Sequence, residues 1–398
     1  MLRGPTDAGW FRTCKLHPRP KTSRGGTMTE TEQQVRPGSE VHLDEWVTPE
    51  IADEHGYIRA GKILEWMDVV GVLAATRHCR RPVVTASVDG MELQKPIRVG
   101  ERIAMTASVA FTSTRSIGVS VAMRHGPTDE VTPPTSVAGY MTFVALDEEG
   151  KALPIPQFQP ETPAEVARFR EGRIRTEFRK KMLSGQLPEL DVATASRAEN
   201  PLFIRELLKL LPRSFQLPFD RAAEGRRHAH LSYVHKIEPI RSGNLNFHGT
   251  LYGGTLMRWI ETCAQLSARS HLQGAAVRLV GLHGLTFIRP AQRHVFIHVR
   301  SAVAHTAQDT LTALVNVHAE DPTEGKQIET LRAFLTYVPV AIDGAAPAAI
   351  FALECVSDEE RAVFKEVEHR LALQRTLGDG AIGSGLARPV APPVRESR

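Results

Sequence analysis

Cysteine is scarce in this chain. Four residues in 398, Cys14, Cys79, Cys263 and Cys355, stand far apart, without a CxxC pair or zinc-finger spacing. That excludes a disulfide-stapled scaffold and a cysteine-rich metal module, and suits a reducing compartment. Long apolar runs are missing as well. None approaches the ~18 residues of a membrane-spanning helix, so membrane insertion is not expected. Charge of one sign is also lacking, because 49 Lys and Arg against 45 Asp and Glu leave a formal +4. So small and scattered an excess argues against a nucleic-acid partner, although it does not oppose a small anionic ligand.

What the chain does have is a repeat. Gly61 to His78 (GKILEWMDVVGVLAATRH) lies on Gly254 to His271 (GTLMRWIETCAQLSARSH), with Trp66 on Trp259, Asp68 on Glu261, Leu73 on Leu266 and Ala75 on Ala268. One residue further out of step, Val88-Asp89-Gly90 lies on Leu282-His283-Gly284, Pro96 on Pro290 and Thr112 on Thr306. A period this long is that of a duplicated domain, since solenoid and propeller units run ~20–50 residues.

Each copy reads in the same order: a short strand (41–47; 231–237), a Gly-containing loop, the shared helix, then four extended runs. Those runs are 82–88, 103–111, 117–123 and 138–144, and again 277–282, 295–303, 311–319 and 331–338. They alternate in the manner of strands with one buried face. Leu256, Trp259, Ile260, Cys263 and Leu266 form an apolar stripe that suits a helix lying along a sheet. The expected fold class is α+β: two tandem domains, each a long central helix wrapped by a curved antiparallel sheet. The division expected is a disordered leader (1–40), domain 1 (41–150), a partly helical linker (151–228), domain 2 (229–345), and a C-terminal helix with a disordered tail (346–398). Ser357 is a natural cap for a helix over 358–377. Residues 1–26 read as an upstream extension before a second start at Met28 in a cytoplasmic protein; the alternative is an Arg-rich presequence for the mitochondrial matrix.

That arrangement is the hotdog fold, and the runs AGKILEWMDVVGVLAATRHC, VVTASVDGMELQKPIRVGE and NFHGTLYGGTLMRWIE resemble the double-hotdog acyl-CoA thioesterases, or acyl-CoA hydrolases. The long connection between the halves is most similar to the mitochondrial-type branch and its bacterial relatives. The resemblance implies hydrolysis of acyl-CoA to fatty acid and coenzyme A at a composite site between the domains. It further implies no cofactor and a homo-oligomer, a trimer of double-hotdog chains.

Thioester hydrolysis needs a site for the carbonyl oxygen, a group that orients or deprotonates water, and room for an acyl chain. Gly253 and Gly254 leave the helix N-terminus open to a ligand, which suits an oxyanion hole, although a glycine pair also makes a plain tight turn. Asn246 matches a catalytic position of the family and has a carboxamide to offer; a turn role is its ordinary alternative. By the same resemblance Asp89 is the catalytic carboxylate, as general base or as nucleophile. Asn246 and Asp89 would complete one site, whereas Asp53 and His283 would form an altered partner. Secondary candidates are Glu261, which matches Asp68 on the helix and could be an ordinary solvated or ion-paired acid, and His248. Arg77, Arg80, Arg81, Lys95 and Arg241 are candidate contacts for the coenzyme A phosphates. Trp66 and Trp259 either bound the acyl tunnel or pack the core. His228, His230 and His235 lack an accompanying carboxylate or cysteine pattern, so no metal is expected. Two readings from other classes stand beside hydrolysis: a non-catalytic acyl-CoA-binding or regulatory protein, and an enoyl-CoA hydratase.

Overall fold

The computed structural model describes residues 40–93, 95–127, 135–147, 150–183, 225–323, 326–341 and 346–381. The leader, the apolar stretch 207–211 and the tail beyond 381 lie outside them. Copy 1 consists of β1 (Val41–Trp46), α1 (Ala60–Cys79), β2 (Val83–Leu93), β3 (Arg102–Thr112), β4 (Ile117–Gly126), β5 (Thr135–Ala145) and α2 (Pro163–Leu183). A short β6 (Arg226–His228) precedes copy 2, which runs β7 (Val234–Pro239), α3 (Gly253–His271), β8 (Val277–Leu282), β9 (Leu285–Phe287), β10 (Phe296–Thr306), β11 (Leu311–Asp321), β12 (Lys326–Pro339), β13 (Ala352–Glu354) and α4 (Asp358–Ala381).

The strands form one sheet in the order β1-β3-β4-β5-β2-β8-β12-β11-β10-β7, with β9 bridging β12 and β2. Each half is antiparallel, and register shifts interrupt the alternation in several strands. The halves join where Met91 faces Leu282 and Val88 faces Leu285. Both long helices lie against this sheet and against each other. Twelve of the 20 residues of α1 are therefore buried, more than a single apolar stripe supplies. Small residues make the approach: a Cβ on Gly71 would stand 2.6 Å from the Phe143 ring, and one on Gly61 would stand 3.1 Å from the Arg258 Cα. Leu266, read as part of the buried stripe, is instead 47% exposed, and its counterpart Leu73 is 44% exposed. Trp66 and Trp259 are buried among core residues and line neither of the cavities described below. Each fully buried large side chain here, Phe143 or Tyr337 for example, contributes ~1.5–3 kcal/mol of hydrophobic stabilisation.

The repeated contacts run further than the strands. His78 Nε2 meets the Pro156 carbonyl at 2.9 Å and His271 Nε2 the Phe351 carbonyl at 2.8 Å. Thr112 Oγ1 accepts from Phe158 N and Thr306 Oγ1 from Leu353 N, both at 2.8 Å. Similar helix starts follow: Thr162 and Glu165 form a capping box, while Ser357 Oγ accepts from Glu360 N and the Glu360 carboxylate accepts from Val356 N. Helix α2 then packs on the outer face of the first half-sheet, where a Cβ on Gly172 would meet Phe111 at 2.6 Å. Helix α4 covers the second half-sheet through Val367 and through Glu366, which bonds Arg332 and Arg370. Burial alone would raise the Glu366 carboxyl, but the two guanidiniums outweigh it and hold the acid below its ordinary value. The segment and helix after β5 thus repeat the contacts of the segment and helix after β12.

Candidate active site

Helices α1 and α3 cross so that a buried acid of each meets the first turn of the other. Asp68, fully buried in the third turn of α1, accepts from the Gly254 N–H at 2.8 Å through Oδ2 and from the Thr85 hydroxyl at 2.6 Å through Oδ1. The Tyr252 phenol, at the N-cap of α3, stands beside the same carboxylate. Desolvation outweighs these donors and pushes the Asp68 carboxyl up to about 6. Burial, and then the charge of Asp68, raise the Tyr252 phenol so far that it remains a donor. The fit at Gly253 is tight, since a Cβ there would lie 3.1 Å from both Asp68 Oδ2 and Thr85 Oγ1.

A cavity of about 720 Å³ opens beside this cluster and draws its walls from both copies. Thr85 comes from β2, Asn246, Tyr252 and Gly253 from the loop and start of α3, with Val72, Leu256 and Phe287 on the apolar side; Arg80, Arg81 and Arg289 also line it. Asn246 Oδ1 accepts from His248 N (2.9 Å), Thr250 N (3.1 Å) and Thr250 Oγ1 (3.1 Å). The turn therefore occupies the carboxamide oxygen, and the NH₂ is what the residue has left to offer a ligand. Among the described residues none accepts from the Gly253 N–H, which lies in the first turn of α3.

The counterpart cavity is smaller, about 340 Å³, and includes Asp53, Tyr57, Lys95, Glu261, Gln265 and Arg278. Glu261 holds the Asp68 role, bonded by the backbone N–H of Gly61, and burial pushes its carboxyl up to about 7. Asp53 Oδ1 makes the Asn246 turn, accepting from His55 N and Tyr57 N at 2.9 Å each. Leu279 stands in the place of Thr85 and has no hydroxyl to give, while its neighbour Arg278 donates to the Leu93 carbonyl.

A model of the thioesterase superfamily matches residues 55–132 and 248–326, the two helix-and-strand cores. The Bacillus subtilis acyl-CoA thioester hydrolase YkhA is 34% identical over 122 residues, 30% of this chain and 70% of that protein. The chain belongs to the acyl-CoA thioesterase family. A cytosolic acyl coenzyme A thioester hydrolase of Rattus norvegicus is 36% identical over 137 residues, 34% of this chain. The match spans only 35% of that rat protein's length. Among solved structures, a hexameric acyl-CoA thioesterase has 30% identity and a TM-score of 0.35, over 36% of this chain and 92% of that one.

In this thioesterase chain the sequence-predicted residues are only partly brought together. Asn246 and Gly253 share the larger cavity with Arg80 and Arg81. Gly254 sits behind it, but its N–H is held by Asp68, not left for a substrate oxygen. Asp89 lines neither cavity, and Asp68 stands behind the lining of the larger one through its bonds to Thr85 and Gly254; the Asp89 carboxylate accepts from Ser87 at 3.0 Å. Register shifts between Thr85 and Ser87 and between Val88 and Gly90 break the strand's alternation, so a side chain at 89 does not follow the face of Thr85. Its counterpart His283 is buried against Thr336 at 2.8 Å and is likewise no partner to Asp53 in a cavity. Glu261 turns away from Gly254 to the smaller cavity, and neither it nor Asp68 is the solvated helix acid considered above. His248 contributes its backbone N–H to the Asn246 turn. Lys95 belongs to the smaller cavity, Arg77 bonds the Glu40 carbonyl, and Arg241 caps a short turn. His235 shares a hydrogen bond with His298, while His228 and His230 stack on each other. Thr85 and Arg289 carried no sequence signal of their own. Thr85 becomes conspicuous only once Asp68 is chosen, as a hydroxyl in an apolar strand beside that acid.

Proposed function

We propose that the protein hydrolyses acyl-CoA thioesters in the larger cavity, with Asp68 as its catalytic carboxylate. The observation that carries this is the juxtaposition of a buried acid from copy 1 with the α3 N-terminus and Asn246 of copy 2. In this reading the thioester oxygen accepts from the Gly253 N–H and the Asn246 NH₂, where the helix dipole favours developing negative charge. Water sits against Asp68 and Thr85. As its oxygen bonds the carbonyl carbon, Asp68 takes its proton. The tetrahedral intermediate then collapses, the C–S bond breaks, and the proton on Asp68 passes to the departing thiolate. Both Asp68 oxygens are already held by Thr85 and Gly254, which favours a proton-transfer role over direct attack on carbon. The apolar wall would take the acyl chain, and Arg80, Arg81 and Arg289 the phosphates of coenzyme A.

Assembly into a homo-oligomer, as three double-domain chains, belongs to the same reading and is checked by light scattering of the full chain. No helix among the described residues is long and apolar enough to cross a membrane. The central experiment is thiol release from acetyl- to palmitoyl-CoA by wild type, Asp68→Asn, Asn246→Ala and Asp89→Asn. Turnover lost in the first two variants and kept in the third is the expected result. Turnover kept in Asp68→Asn sinks the assignment. Inactivity of the wild type together with retained ligand affinity favours the binding protein, and hydration of an enoyl-CoA favours the hydratase.

A further inference from the structure

The smaller cavity has the architecture of a site but the opposite hydrogen-bonding character at its buried end. Glu261 is 4% exposed, one of its oxygens is close to Gly61, and its Oε1 has no hydrogen-bond partner among the described residues. An orphaned buried acceptor of this kind costs ~1–3 kcal/mol unless something donates to it. The residue whose NH₂ is left for a ligand in the larger cavity is Asn246; here it is Asp53, whose side chain makes the same turn and lines the cavity together with Glu261. A thioester carbonyl, which only accepts, would meet a carboxylate at Asp53 where the larger cavity offers the Asn246 NH₂. A thiol, hydroxyl or amide N–H would satisfy Glu261. At the other extreme Lys95 is exposed and Arg278 half-buried, both cationic, while Ile58, Leu93 and Leu279 supply apolar wall between. The volume of about 340 Å³ is small for a ligand site and leaves little room for an acyl chain beside a pantetheine-sized arm.

We propose that this second cavity is a binding site in its own right, for a small anionic molecule whose inner end is a hydrogen-bond donor, the free thiol of coenzyme A being the form tested, and that it rejects the thioester. The proposal rests on the hydrolase reading only for the choice of coenzyme A as probe.

Equilibrium dialysis of the full chain measures it. The probes are coenzyme A and acetonyldethio-coenzyme A, a non-hydrolysable ketone that keeps the acceptor carbonyl. Wild type is expected to bind two coenzyme A per chain and one ketone. Ala341→Trp, which fills the exposed edge of the cavity, brings coenzyme A to one per chain. Lys95→Glu weakens the second coenzyme A by about tenfold, the value of one charge-assisted contact. Asp53→Asn restores the donor without disturbing the turn and raises the ketone to two. One coenzyme A per wild-type chain overturns the site, and so does an unchanged count of two in both Ala341→Trp and Lys95→Glu. Two ketones per wild-type chain overturn the discrimination. Turnover measured alongside separates the claims: two bound coenzyme A without thioester hydrolysis sinks the hydrolase reading alone, and hydrolysis with one bound sinks only the second site.

Discussion

Asn246→Asp tests the site with a control that the fold already contains. In copy 1 an aspartate occupies the equivalent loop position and accepts from the N–H groups two and four residues on at 2.9 and 2.9 Å, against 2.9 and 3.1 Å for Asn246. The turn uses only the oxygen common to both side chains, so the substitution leaves it intact. Stability is expected to change by less than about 1 kcal/mol, the scale of a single retained turn contact. What is lost is the NH₂ facing the larger cavity. Removing one preorganised donor from a developing oxyanion costs about 3–4 kcal/mol, or 10²–10³ in kcat. The assay is kcat and KM for thiol release on the best substrate of the panel, with thermal melting of the same preparation. Loss of at least about a hundredfold in kcat with an unchanged melting temperature is the expected pair. Activity within threefold of wild type refutes the donor role of Asn246, and a fall of several degrees in melting temperature refutes the claim that the turn is indifferent to the exchange.

Asp68→Asn is expected to lose 10²-fold or more in kcat and to gain stability above neutral pH. The folded carboxyl lies at about 6 against an ordinary 3.8, so its contribution to stability is complete below pH ~3.8 and is lost as pH rises through about 6. The variant should therefore exceed wild type at pH 8 by up to about 3 kcal/mol in denaturant melts, the linkage equivalent of a two-unit shift, and by little at pH 4. A variant no more stable at pH 8 than at pH 4, relative to wild type, contradicts the buried charge. For wild-type kcat/KM the ascending limb should fall near pH 6 and vanish in Asp68→Asn, because the base form appears only above that value. Gly253→Ala should keep the fold but lower kcat more than tenfold, since its methyl would press on Asp68 and Thr85 at 3.1 Å; full activity in a folded protein removes Gly253 from the reaction.

The architecture was legible because duplication writes each element twice. Gly61 on Gly254 and His78 on His271 mark both helices, and the pairing persists in space as far as Ser357 and Glu360, beyond the span where sequence similarity is visible. The site was legible only in part. Asn246, Gly253 and Arg81 lie in one local stretch each, and their places follow from the helix they precede or end. The placement of Asp89 was not legible for a local reason: two irregularities in β2 change which face a side chain takes, and a one-dimensional pattern does not display a bulge. Asp68 and Glu261 were visible as a matched pair of acids, yet their meaning depends on a crossing that sequence does not encode locally. Each acid serves the N-terminus of the helix it is not on. That crossing also explains why one copy can diverge. Replacing Thr85 by Leu279, or Asn246 by Asp53, alters a single cavity, because each cavity takes its acid from one copy and its loop from the other, while the turns and helix starts that hold the fold remain satisfied in both. Duplication thus separates the parts that must be kept twice, glycines at the helix crossings and acceptors in the turns, from the donors that only one cavity needs.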